Sequence, residues 1–172
     1  MMEFTYKLLE DDSYCVMTYT GDEPDVIIPD EFLGRPVTIL YEHLFEGHTE
    51  ITSVRIPDSV TDIGGFNFDG CVNLRSITLP PALEHLWQYA FVRSSIEELT
   101  IPDRVRRIVP YTFKDCKELR KVVCGAALRE IGPWAFDGCE KLKELICGPG
   151  TLISPDAYAS KELKPWRREQ DI

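Results

Sequence analysis

Residues 53–74 read SVRIPDSVTDIGGFNFDGCVNL, and residues 121–142 read KVVCGAALREIGPWAFDGCEKL. Both carry a short apolar alternation, a second apolar pair and then a Phe followed three residues later by Cys. Working outward, the same aromatic position recurs at Phe45, Phe68, Phe91, Phe113, Phe136 and Tyr158, with gaps of 23, 23, 22, 23 and 22 residues. A second row runs Pro29, Pro57, Pro80, Pro102, Gly125 and Gly148, and its one long gap comes from DEFLGRP, which adds five residues before Val37. A period this regular is the mark of a solenoid, in which each coil buries its apolar face only against its neighbours.

Within each period sits L-x-x-L-x-L. It reads Ile51-x-x-Val54-x-Ile56, Leu74-x-x-Ile77-x-Leu79, Ile96-x-x-Leu99-x-Ile101, Leu119-x-x-Val122-x-Cys124 and Leu142-x-x-Leu145-x-Cys147. Its closing alternation predicts a short strand with one face inward, ended by a Pro that cannot donate to a ladder. Six rungs are therefore expected, near 26–28, 54–56, 77–79, 99–101, 122–124 and 145–147. At about 4.8 Å per step they build a ladder roughly 24 Å tall. Pairs such as Val60 and Ile63, or Val105 and Ile108, supply the returning side of each coil.

These strings resemble the BspA-like leucine-rich repeat, whose 22–23-residue unit combines I-P, I-G and A-F-x-x-C. The opening YTGDEPDVIIPDEFLGRPVTIL is similar to the family's usual entry into its first repeat. Ser94 and His48 depart from the Cys row, and Asn67 and Thr112 from the Ala row. The resemblance implies a right-handed, curved leucine-rich-repeat solenoid, mainly β, with a parallel β-sheet on its concave face. It also implies protein binding, and in relatives with signal peptides surface adhesion or host contact. Ser59, Ala82, Arg104 and Ala127 stand where the commoner repeat places Asn or Cys, so extended or 3-10 convex turns are expected instead of helices.

One domain spans 1–172, divided into a capping hairpin (1–24), about five and a half repeats (25–158) and a tail or C-terminal cap (159–172). The cap is FTYKL and YCVMTYT split by the turn-rich EDDS; Trp166 is the bulky residue available to cover the last coil.

Composition narrows the partners. The 172 residues carry 19 Lys and Arg against 29 Asp and Glu, a net charge of −10. Residues 1–50 hold twelve acids against Lys7 and Arg35, so the whole net charge equals that of this stretch, and a linear stack turns it into an axial dipole. Nucleic acid and anionic membrane need a basic face, so neither is an expected partner. No 18-residue apolar run predicts membrane insertion. The start, MMEFTYKLLEDDSY, lacks a secretory pattern, which points to the cytoplasm, or to the cell surface if a leader has been removed.

Little points to chemistry. Cys71, Cys116 and Cys139 lie three residues after the Phe row, while Cys124 and Cys147 stand at the last strand position, so these five read as core thiols and Cys15 as part of the cap. No C-x-x-C occurs, no His sits at zinc spacing, and His43, His48 and His85 fall at repeat positions without a triad. No catalytic residue, metal or cofactor is expected. Two rows remain as candidate surfaces. The concave row is Ile27, Arg55, Thr78, Thr100, Val123 and Ile146, whose apolar end either docks a partner or meets the tail. The aromatic row is His43, Phe66, Tyr89, Tyr111 and Trp134, which either stacks along the coil edge or anchors an interface. The expected function is a non-enzymatic protein-interaction module with a protein partner. The alternatives are a cell-surface adhesion protein and a stack that self-associates head to tail.

Overall fold

The computed structural model describes residues 1–158, Leu163 and the backbone of Trp166 and Arg167. The chain is a β-solenoid, and no helix is found among the described residues. Strand Glu3–Leu8 pairs antiparallel with Tyr14–Thr20, forming the expected hairpin with a bulge between Thr5 and Tyr6. Tyr14–Thr20 then lies parallel to Arg35–Leu40, so the cap joins the returning side of the stack. Its aromatics close the core: Tyr6 stacks on Phe32 at 4.0 Å, and Tyr19 meets Phe45 edge-on at 5.3 Å.

The DEFLGRP insertion becomes a hairpin of its own. Glu31–Phe32 pairs antiparallel with Arg35–Pro36. Leu33 and Gly34 between them both have positive φ, at 50° and 75°. A two-residue loop with this conformation follows the natural twist of its strands, at some cost for the exposed Leu33.

Neighbouring coils meet on three sides. On the front, Asp25–Ile27 pairs with Ser53–Arg55, and Glu98–Thr100, Lys121–Val123, Glu144–Cys147 and Trp166–Arg167 form a second parallel ladder. On the return side, Arg35–Leu40, Asp62–Ile63 and His85–Leu86 pair in one parallel run, and Arg107–Ile108, Glu130–Ile131 and Leu152–Ile153 in another. The third side is the Phe corner, where main-chain bonds such as Phe45 N–H to Asn67 C=O and Phe91 N–H to Thr112 C=O step from coil to coil. Unlike the other two sides, this corner is bonded across every coil step.

The corner is also the centre of the core. Phe45, Phe68, Phe91, Phe113 and Phe136 are at most 1% exposed and stack at 4.9–5.5 Å. Cys71, Cys116 and Cys139 donate their thiols to the carbonyls of Phe45, Phe91 and Phe113, at 3.2, 2.9 and 3.0 Å. A thiol three residues past the Phe reaches back to the preceding coil, which explains why that row favours Cys over a plain methyl group.

One expectation is corrected. The segment at 77–79 keeps Leu79 buried but forms no strand and pairs with neither neighbour, so the front ladder is split around it. This coil has Pro80 and Pro81 in sequence and steps from Phe91 to Ile96 in five residues, where Phe68 to Leu74 and Phe113 to Leu119 take six. The shortened corner lies between this rung and the one at 99–101 and shifts the register of that step. The assignment of 159–172 as a tail lies largely outside the described residues, although the backbone of Trp166–Arg167 extends the front ladder beside Ile146–Cys147.

Candidate interaction surfaces

The aromatic row stacks. His43 and Phe66 lie 5.0 Å apart, Phe66 and Tyr89 4.8 Å, Tyr89 and Tyr111 5.2 Å, and Tyr111 and Trp134 5.4 Å, with ring planes within 15° of parallel. All five residues are in the left-handed region, with φ between 56° and 63°. Bulky side chains rarely adopt that conformation, at a cost of about 1 kcal/mol or more each. Stacking returns about 0.5–1.5 kcal/mol per pair, so each coil supports the strained backbone of the next. A second left-handed row stands four residues later: Gly47, Gly70, Arg93, Asp115 and Gly138. Together the two rows bend the chain sharply around each Phe. Trp134 is 44% exposed at the end of the stack, while Phe66, Tyr89 and Tyr111 are half-buried.

The front row lies where the repeat puts it, except for its middle. Ladder register places Ile27 beside Arg55, and Thr100 beside Val123 and then Ile146. Thr78 is exposed in the unpaired rung between these two runs. Arg55 bonds Asp30 at 3.0 Å; Val123 and Ile146 are half-buried, and Ile146 lies directly beside the strand of Trp166. Shallow clefts of about 420 and 390 Å³ flank the unpaired rung on its two sides.

A larger groove opens on the return side, between the rungs at 84–87 and 106–109. It measures about 720 Å³ and is bordered by Trp87, Arg104, Arg106 and Arg107. Through Trp87 and Val109 it continues into an apolar depression of about 680 Å³ that includes Tyr41, Phe66 and Tyr89. Trp87 is 52% exposed. Sequence reasoning missed this feature, although the slot four residues before the Phe row carries a signal. That slot reads Tyr41, Gly64, Trp87, Val109 and Gly132.

Three of the buried thiols, Cys15, Cys71 and Cys139, are shifted away from reactivity. Burial pushes Cys71 up to about 12 and Cys15 to about 11. Hydrogen bonding with Cys116, and then burial, also raises Cys139. A reactive cysteine needs the opposite shift in an accessible setting. The histidines pair with neighbouring carboxylates: His43 with Glu46 at 2.7 Å, His85 with Asp62 at 3.2 Å, and His48 with Glu50. Among the described residues, no three His, Cys, Asp or Glu side chains gather as a metal site, and no helix is long and apolar enough to cross a membrane.

Residues 38–164 match the BspA type leucine rich repeat region in six copies. Among solved structures, a T. pallidum leucine-rich repeat protein is 31% identical with a TM-score of 0.80, over 84% of this chain and 68% of that one. A leucine-rich repeat protein from Bacteroides ovatus is 25% identical, with a TM-score of 0.68 over 99% of this chain and 53% of that one. A leucine rich cell surface protein from Faecalibacterium prausnitzii is 22% identical, with a TM-score of 0.68 over 91% of this chain and 51% of that one. The chain thus spans about half the length of the last two. A comparison with curated proteins finds no match.

Proposed function

The chain belongs to the BspA-type leucine-rich repeat family, and from that premise we propose that it is a non-enzymatic module displaying rigid rows of side chains to a protein partner. The observation that carries this reading is the register of the front ladder. Thr100, Val123 and Ile146 stand side by side on hydrogen-bonded strands, with Arg55 on the run beyond the split. Side chains fixed in this way lose little freedom when a partner docks. The double variant Arg55→Glu plus Val123→Asp should lose partners that the wild type captures. Unchanged capture would move the binding site off this face.

Two further readings rest on separate observations. The Faecalibacterium relative is described as a cell-surface protein, which favours a contact role at a surface. Protection from protease added to intact cells would argue against that role. The acidic first fifty residues favour head-to-tail association, which salt-insensitive monomers in light scattering would rule out.

A further inference from the structure

The return-side groove is an interruption in an otherwise regular ladder. At the other steps, the coil bonds backward at two points: Thr61 N–H to Thr38 C=O with Gly64 N–H to Leu40 C=O, then Glu84 with Thr61 and Trp87 with Ile63. The pattern resumes with Arg129 to Arg106, Gly132 to Ile108, Leu152 to Arg129 and Ser154 to Ile131. Between 84–87 and 106–109, no backbone hydrogen bond is made among the described residues. The carbonyls of Glu84 and Leu86 and the amides of Arg106 and Val109 therefore line the groove as two open strand edges.

Glycine placement explains the interruption. At each bonded step, one of the two facing residues four before the Phe row is Gly64 or Gly132. A Cβ added at Gly64 would lie 2.5 Å from the Glu42 amide nitrogen, and one at Gly132 would lie 3.1 Å from Pro110 Cδ. The open step has Trp87 facing Val109, with no glycine on either side. The gap is thus written into the side chains that border it.

The groove is also charged in a particular way. Arg107 is held by Glu130 at 3.0 Å, and Arg104 reaches Glu84 only at 3.8 Å. Among the described residues, neither Arg106 nor Arg129 on the next coil has a carboxylate within 4.0 Å. Of the acids in the groove, Asp103 already accepts the Ala126 amide at 2.9 Å.

We propose that this groove docks an extended, acid-rich segment of a partner protein, paired through its main chain to the Arg106–Val109 edge, with its carboxylates on Arg104 and Arg106 and an apolar side chain against Trp87. An added strand satisfies the open edge, and its alternating side chains divide naturally between the basic and aromatic borders. This rests on the interaction reading above and names the partner chemistry at a second face of the same module.

The test uses a fluorescein-labelled octapeptide of alternating Glu and Val, with a Lys and Val octapeptide as the control, read by fluorescence anisotropy on the full chain. Saturable binding of the acidic peptide, weakened as salt rises, is expected. Arg106→Glu removes the charge partner, and Val109→Gly lets the two coils close. Each should weaken binding at least tenfold, while Lys7→Glu on the exposed face of the capping hairpin leaves it within twofold. Circular dichroism confirms that the variants are folded. No saturable binding, equal binding of the Lys peptide, or undiminished binding in both groove variants would overturn the proposal. So would a chain that dimerises in ultracentrifugation and is returned to monomer by the same two variants, since the groove then belongs to a second copy. Loss of the peptide result with partner capture still dependent on Arg55 and Val123 would overturn the groove alone, not the module reading.

Discussion

The carboxylate of Asp69, 2% exposed, is gripped by the guanidinium of Arg93 from the next coil at 2.9 and 2.8 Å. Arg93 itself reaches out to solvent, so the pair plugs the Phe corner from outside. A two-pronged contact of this kind depends on the planar fork of Arg. Arg93→Gln should lower the unfolding free energy by about 2 kcal/mol, less than the full loss of a buried pair because one partner stays hydrated. Urea unfolding of the two proteins measures it, and a difference within error would show that Asp69 is satisfied without Arg93.

Left-handed backbone at Tyr89 separates two contributions that a single truncation would merge. Tyr89→Ala removes both neighbours in the stack and keeps the strain. Tyr89→Gly removes the same stack and relieves it. The Gly variant should therefore be the more stable by about 1 kcal/mol, opposite to the usual order in regular structure. Asp115→Gly, in the second left-handed row, should stabilise by a similar amount. Melting temperatures in the reverse order would remove strain from the account.

The buried thiols set an alkaline limit. Cys71 rises to about 12 in the folded chain, against about 8.5 when unfolded. Its contribution is fully present below the unfolded value and is lost as pH climbs from about 9 towards 12. The slope is about 1.4 kcal/mol per pH unit for each such thiol, because the unfolded chain sheds protons that the folded chain keeps. Stability measured across that range should fall, and Cys71→Ser should flatten the slope. Native labelling with a thiol reagent at pH 8 should be slow at all six cysteines, which are buried. A rapidly labelled Cys71 would contradict the shift.

The interrupted return ladder has its own signature in hydrogen exchange. The amides of Arg106 and Val109 should exchange much faster than those of Arg129 and Gly132, which donate to the preceding coil at 2.9 and 2.8 Å. In Val109→Gly, residues 106 and 109 should gain protection as the step closes. Conversely, Gly64→Ala should open a step that is now bonded, since its Cβ meets Glu42 backbone rather than a movable side chain. Equal exchange at all four amides would mean that the interruption closes in solution.

Much of this architecture is legible in the amino-acid sequence. Phe45 to Phe136 can be placed in the core because their period matches one coil, and Cys71, Cys116 and Cys139 follow from the same count. The hairpin over 3–20 is visible from alternation around a turn. The left-handed conformation of Phe66, Tyr89 and Trp134 is not, because aromatic residues give no sign of positive φ; only Gly47, Gly70 and Gly138 in the companion row hint at a sharp bend. The unpaired rung at 77–79 is hidden as well, since Ile77 and Leu79 fit the strand pattern and pairing depends on the length of the neighbouring coil. For the candidate surfaces, the front row and aromatic stack follow from repeat position. The groove at Trp87 does not, because it arises from the facing of Trp87 with Val109, a relation between coils that no single repeat contains.

The continuous Phe corner and the split return ladder also determine how the molecule bears load. Between the coils of Glu84 and Arg106, the return strands share no main-chain bond among the described residues. The front contributes the hydrogen bond from Glu97 N–H to Arg75 C=O at 2.9 Å, and the Phe corner carries most of the remaining backbone bonding around that point. A force applied to the two ends would concentrate there, so the stack should tear at one predetermined place into an acidic half and a basic half, each still wound. The weakest joint in the molecule is therefore also the place where its charge changes sign.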